Sequence, residues 1–526
     1  MLNEMAATEP REPASGDGGA PGLDRARPAS RAAPASLLAQ QMWDDALLAA
    51  AGIPITDAHV ISIGGGLGSF AVVDFLRIAG VEASQIRVLS RLAAPYDTFA
   101  ALARASQLRP EDRLRSDSSS TIDNVWGWPG YALCEAWTER SLSPLWRVVT
   151  EPILTEYFTP RVRTVVAGVQ REATRIGWGD MLVGCRAEVV RRRAGGGYLV
   201  LASRLDDTAL FAVRCQHAHV ALGYPGPRLL PDTAALREQY GACPQVANAF
   251  EPHEHVYRQL VRSPGRVVVR GAGITASRIL ERLIHDRDTL GARTEVLHVF
   301  RHYVPGPVGP PWFRRAGGDG FAYQPFNFPR AAGGGQLRRR MLAMTSEERA
   351  LLIATIGGTT TARRRRWQRQ LSRARREQWY RAVVGRVGEL DLDGSGRLRF
   401  VLFNGGAAPR PEAADFLIDA TGLDDTITRH PLIADLVDCG AGLNALGRLD
   451  VEPSFELRTM RSGAGRLYAS GAATLGGALA PVDSFWGLMH AAMEITDDLA
   501  DQGTCEFPGV MRSLTQWWRW MRNRPP

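Results

Sequence analysis

The sequence predicts an α/β protein built on two Rossmann-like, three-layer (ββα) dinucleotide-binding domains. Three observations carry the prediction. An apolar strand, His59-Val-Ile-Ser-Ile63, runs into Gly64-Gly-Gly-Leu-Gly-Ser69 and then into an apolar-periodic helix from Phe70 to Arg77, the order that opens a βαβ unit. The same order recurs at Val267–Arg270, Gly271-Ala-Gly-Ile-Thr-Ala276 and Ser277–Ile284. The 526 residues also exceed one ordinary core, so two or three domains are expected.

Taken in order, residues 1–42 are expected to form a disordered tail, rich in Ala, Pro, Gly and Arg to about Ser36. Its acids Glu4, Glu9 and Glu12, with no apolar stretch, are not the pattern of a secretion signal. The first βαβ unit returns at Ile86–Ser90. From Gln107 to Trp146 the chain is loop-like and aromatic, with Asn124-Val-Trp-Gly-Trp-Pro-Gly130 inside it. Residues 162–222 are expected to be rich in strands. After the second turn the return strand is Thr294–Phe300, followed by Arg301. Residues 303–335, dense in Pro, Gly and aromatics, are expected as a long loop, and about 337–388 as Arg-rich helices. Strands resume at Arg397–Phe403 and Phe416–Gly422. The last unit is Gly465–Gly471, a loop to Asp483 and a helix from Ser484 to about Ala500. Residues 509–526 are expected as an amphipathic helix.

Composition narrows the chemistry. All 63 basic residues are Arg, which removes Schiff-base formation, a P-loop phosphate site and a Lys general base. The six cysteines (Cys134, Cys185, Cys215, Cys243, Cys439, Cys505) include no close pair. That argues against zinc and dithiol chemistry and fits a reducing cytoplasm. His253 and His255 with Glu251 and Glu254 lack a third ligand position, so a helix start after Pro252 is expected there and no metal. No apolar run is long enough to span a membrane. A net charge of +8 is modest for this length and reads as a solvated basic surface, with no nucleic-acid partner expected.

A pyrophosphate needs backbone N–H donors and a positive helix end, and a helix N-terminus supplies both. The chain must also approach the phosphates without a Cβ in the way, hence glycine at the first and third positions of the turn. Gly64 and Gly66 fill those places in the first turn, with Gly68 and Ser69 in the same cradle. Gly271, Gly273 and Ala276 are the counterparts in the second, with Thr275 beside them. The acid that usually holds a ribose after the second strand is replaced by Ser90 and Arg91. At the second site the strand ends in Arg301, with Arg270 just before the turn. A guanidinium there suits a 2′-phosphate and favours NADPH over NADH.

This order of motifs resembles the flavin-containing monooxygenase superfamily, in a divergent bacterial branch, over about residues 55–500. The resemblance implies FAD at Gly64, Gly66, Gly68, Ser69 and Arg91, and NADPH at Gly271, Gly273, Thr275, Ala276 and Arg301. It implies an NAD(P)H-binding domain (233–422) inserted in an FAD-binding domain (43–232 and 423–508). Ala221-Leu-Gly223 and Ala420-Thr-Gly422 resemble the crossing signatures. Gly471-Ala472 resembles the late FAD strand end, with Ala472 in place of the usual Asp, and Pro481-Val-Asp483 would begin a helix aimed at the flavin. Asn124–Gly130 sits where related enzymes place a Trp-rich loop.

The implied reaction is an NADPH-driven monooxygenation through a flavin C4a-(hydro)peroxide, using O2 and a small substrate. The aromatic residues between Tyr303 and Phe328 point to an apolar or aromatic metabolite, or to a structured cover over the domain interface. No acid/base pair stands out, and Asn124, Trp126 and Asp483 are the catalytic candidates. A flavin dehydrogenase or oxidase and a redox-sensing flavoprotein are the alternatives. Arg115, Asp117 and Asp123 precede the Trp cluster as further binding candidates. The basic run Arg363–Arg376 is expected as a solvated helix face. On the last helix Val510, Leu514, Trp517 and Met521 share one side. That side is expected to dock on its own domain, with a membrane surface or a homodimer contact as alternatives.

Overall fold

The computed structural model describes residues 34–114, 122–126, 130–154, 158–241, 243–301, 336–356, 365–405 and 408–526. In chain order the strands are β1 Met42–Trp43, β2 Ile55–Asp57, β3 Val60–Ile63, β4 Ile86–Ser90, β5 Leu182–Arg193, β6 Tyr198–Arg204, β7 Leu210–Cys215 and β8 His217–Val220. They continue as β9 Val246–Asn248, β10 Gly265–Arg270, β11 Thr294–Phe300, β12 Tyr380–Val384, β13 Arg386–Leu392, β14 Leu398–Phe403, β15 Arg410–Ala414, β16 Phe416–Asp419 and β17 Leu467–Ala469.

The first sheet runs β17-β8-β3-β4-β5-β6-β7-β2, with β1 paired to β5. Strand β5 serves two layers. Its first residues pair in parallel with β4, Ser90 opposite Gly184, and the remainder pairs antiparallel with β6. The Leu67–Ile78 and Phe485–Asp501 helices pack on the parallel layer, burying Phe70, Val73, Leu76, Ile495 and Leu499 with Ile61 and Ile63. The second sheet, β12-β11-β10-β16-β9, is wholly parallel. Both of its faces are covered, by the Ile274–Leu290 helix on one side and the antiparallel β13-β14-β15 sheet on the other. That explains the unbroken apolar run Val267-Val268-Val269, each 0% exposed.

Every strand of the second sheet falls between β8 and β17 of the first, so one domain interrupts the other. The two connecting segments run side by side, with Pro227 bridged to Leu423 and the Asp424 N–H donating to Gly226 O at 2.7 Å. The domains also meet where Arg282 donates to Gln107 Oε1 at 2.9 Å and Arg338 pairs with Glu494 at 2.6 Å.

Several sequence expectations are corrected. The tail is shorter than 42 residues. Ala35–Leu38 is helical, Leu37 and Trp43 are buried, and Trp43 Nε1 donates to Leu37 O at 3.0 Å. A junction at 232/233 would cut the Pro231–Tyr240 helix, whose Thr233 and Leu236 are buried and whose Leu236 packs in the second domain's core. The stretch 162–222 opens with a 15-residue helix, Val162–Ile176, rather than strands. Its Val162, Val165, Val169, Ala173 and Ile176 are buried at helical spacing, and Gly177 closes it in the left-handed region at φ +74°. The Arg-rich helices end at Arg376, and Tyr380–Val384 joins the second sheet beside β11. A helix does start at Glu254, with His253 as its N-cap. The loop 303–335, Arg115, Asp117 and the tail to residue 33 lie outside the described residues. Among the described residues no helix is long and apolar enough to cross a membrane.

Candidate functional site

The first turn is built by its neighbours. Gly64 donates its N–H to Leu89 O at 3.0 Å and sits at φ +129°. A Cβ there would stand 2.1 Å from Ala221 O. Gly66 is the N-cap of the Leu67–Ile78 helix, no side chain caps it, and nothing lies within 4 Å of where its Cβ would be. The open side of the turn is therefore a cradle at a bare helix N-terminus. Gly68 serves the other side, letting the helix close on Ala221 and Ser470. Ser69 differs from its expected place. It is fully buried, and its Oγ accepts from the Gly65 N–H at 3.2 Å, so it shapes the turn from behind. Ser90 is occupied in the same way, donating to Gly64 O at 3.0 Å and accepting from the Leu92 N–H at 2.9 Å.

The second turn repeats the first. Gly271 donates to Val299 O at 2.9 Å, sits at φ +127°, and would place a Cβ 2.4 Å from Ala420 O. Gly273 is the uncapped N-cap of Ile274–Leu290, Thr275 is half-buried at its first turn and Ala276 is buried. His298 does the work of Ser90, its Nε2–H donating to Gly271 O at 2.6 Å while Nδ1 accepts from Tyr380 OH at 2.8 Å. Burial holds this imidazole neutral, pushed down to about 4. Arg270 is removed from the list of phosphate ligands, because it is buried and paired with Asp232 at 2.6 Å and Asp419 at 2.7 Å. Aligning Leu89 with Val299 makes Arg91 and Arg301 equivalent. Both are exposed, and among the described residues neither forms an ion pair.

The late chain segment completes the first site. Ser470 donates its N–H to Val220 O at 3.1 Å, Gly471 follows at φ +75°, and Ala472 is buried behind it. His219 lies between Ser62 Oγ and Ser470 Oγ, 2.9 Å from each, tying β3, β8 and β17 together. Past the buried Pro481, Asp483 accepts from Tyr224 OH at 2.6 Å, one residue beyond the crossing glycine Gly223. Ser484 then caps the Phe485–Asp501 helix, accepting from the Gly487 N–H at 3.0 Å. Gly422 marks the other crossing at φ +112°. Asn124 is buried with its Oδ1 accepting from the Trp126 N–H at 3.1 Å, and Trp126 is half-buried. Asp123 pins this loop to the Val162–Ile176 helix, 3.6 Å from Arg171 and over Gly168, where a Cβ would lie 2.4 Å from its carboxylate. Burial pushes the Asp123 carboxyl up to about 6.

No protein-family model matches the sequence, and no curated protein matches it. Solved structures do. The cadaverine monooxygenase DfoA of Erwinia amylovora, solved with FAD, aligns at TM-score 0.62 and 12% identity over 86% of this chain and 97% of its own. The Kutzneria sp. 744 ornithine N-hydroxylase KtzI, solved with reduced FAD, NADP+ and L-ornithine, aligns at 0.61 and 15% over 85% and 100%. The ornithine hydroxylase PvdA of Pseudomonas aeruginosa aligns at 0.56 and 14% over 85% and 100%. The chain has the two-dinucleotide-domain flavoprotein fold.

In this flavoprotein fold the two turns fit two dinucleotides. The cradle beyond Gly66 is open, both helix N-termini lack a side-chain cap, and an exposed arginine flanks each turn. Reading the sequence missed Tyr224, His219 and His298. His219 and His298 had a signal, a polar residue inside an apolar strand. The partner of Tyr224 lies 259 residues away, which no local pattern announces.

Proposed function

We propose that the chain is an FAD- and NADPH-dependent cytoplasmic monooxygenase acting with O2 on a small metabolite. The duplicated turn supports this reading most directly: two first glycines, Gly64 and Gly271, each pressed against a crossing-strand carbonyl at the foot of an uncapped helix. Gly66 and the helix behind it hold the FAD pyrophosphate, and Arg91 meets the adenosine end in place of an acid. Gly273, Thr275 and their helix hold NADPH, with Arg301 on the 2′-phosphate. Bound FAD and NADPH supply hydride transfer and oxygen chemistry. The Tyr224–Asp483 hydrogen bond fixes the start of the Phe485–Asp501 helix, whose N-terminus favours negative charge on the ligand. Asn124, Trp126 and Asp483 border the reacting centre. The amine hydroxylases among the structural neighbours make a small aliphatic amine the first substrate class to assay, with an aromatic metabolite second.

The test is spectroscopic. Purified protein should be yellow, NADPH should bleach it without oxygen, and air plus substrate should yield oxygenated product. Protein without flavin absorbance overturns the proposal. Bleaching and reoxidation without product for either substrate class leaves the oxidase reading instead.

A further inference from the structure

The Val510–Met521 helix is held lightly on its own domain, with Arg524 O just past it accepting from Arg175 at 3.2 Å, and none of the residues on the face expected to dock is buried. Only a narrow side, Ser513, Gln516, Trp517 and Trp520, is half-covered. Val510 is 79% exposed, Leu514 56% and Trp518 47%, with Met511 and Met521 on the same outward arc. Arg512, Arg519 and Arg522 run along one edge of that arc. Glu506, which pairs with Arg512 at 3.1 Å, is the last acid before residue 526.

We infer that this helix rests the protein on an anionic lipid surface. The apolar arc would enter the headgroup boundary, the arginines would meet lipid phosphates, and tryptophan suits that boundary. Charge decides against the other occupants. A second copy would use the same patch on both partners, and packed antiparallel it would set arginine edge against arginine edge, with only Glu506, already paired with Arg512, named beside them. A nucleic acid would satisfy the arginines and leave five apolar side chains in water. The inference does not depend on the redox reading.

The experiment is co-sedimentation of the full chain with vesicles of phosphatidylcholine, or of an equal mixture of phosphatidylglycerol and phosphatidylcholine. The chain should pellet with the mixed vesicles and stay in solution with the neutral ones. Arg519→Glu/Arg522→Glu should lower the partition coefficient by roughly tenfold or more, and Leu514→Asp/Trp518→Asp should abolish pelleting. All four positions are outside the buried core, and matching thermal melts confirm that the variants stay folded. Absence of pelleting with mixed vesicles overturns the inference, as does pelleting that neither variant changes. A dimer on size exclusion that Leu514→Asp converts to monomer, without vesicle binding, gives the face to a second copy and overturns it too.

Discussion

A methyl group on Gly64 would meet Ala221 O at 2.1 Å, on a backbone whose φ of +129° L side chains rarely adopt. Gly64→Ala is therefore expected to empty the first site, read as a collapse of the flavin-to-protein absorbance ratio. Gly271→Ala, with the same geometry at 2.4 Å, should leave the flavin in place and remove NADPH binding; loss of both signals would mean a general folding defect. Arg301→Ala should raise KM for NADPH by about 10–100-fold, the worth of a charged hydrogen bond, with little change for NADH. Equal effects on the two would remove the 2′-phosphate role. The glycines are legible in the sequence because the turn admits nothing else. Ser90 and His298 are not, because a bond to a turn carbonyl depends on which strand lies alongside. Arg270 misleads for a related reason: Asp232 and Asp419, 38 and 149 residues away, claim its guanidinium.

At the scale of elements, both strand–turn–helix units are legible because period and glycine agree. The Val162–Ile176 helix is misread because its valines carry β-propensity while their spacing is helical, and packing against the Leu67–Ile78 helix decides the outcome. The segment before Trp43 is misread because bulk composition hides two anchors, Leu37 and Trp43, set in the β5–β7 layer with Val189 and Leu201. Trp43→Ala should cost about 3–5 kcal/mol, seen as a lower denaturant midpoint; an unchanged midpoint would return this segment to the tail. Ser484→Ala removes the cap of the Phe485–Asp501 helix and should cost about 1 kcal/mol, with a matching small fall in Tm.

For the whole molecule, burial holds several histidines neutral: His217, His298, His430 and His490 fall from 6.5 to about 4, and His219 to about 3. The unfolded chain binds more protons at these groups, so stability rises with pH across this window and is lost as pH falls below about 6.5. Asp123, raised from 3.8 to about 6, acts in the opposite sense, because there the folded state binds the extra proton. Burial also lowers His59 and His253, and raises Asp74, Asp286 and Asp497 together with Asp123. The seven imidazoles outnumber the four carboxyls, and the urea midpoint should be lower at pH 5 than at pH 7. An equal or higher midpoint at pH 5 would show that these imidazoles are not held neutral. The existence of two such domains is readable from motif order, but the pairing of β17 with β8 is not, since 246 residues separate Val220 from the start of β17 at Leu467 only in the sequence, while Val220 and Ala469 are ladder partners.

That pairing has a consequence in time. The first sheet waits for β17 and the Phe485–Asp501 helix, which are made only after the whole second domain. At roughly 5–20 residues per second, the 246 intervening residues hold the first domain unfinished for about 12–50 s on the ribosome. Through that interval the side of the Leu67–Ile78 helix that the Phe485–Asp501 helix covers lies open, while the inserted domain already has all five of its parallel strands. The domain made second is the first that can finish folding.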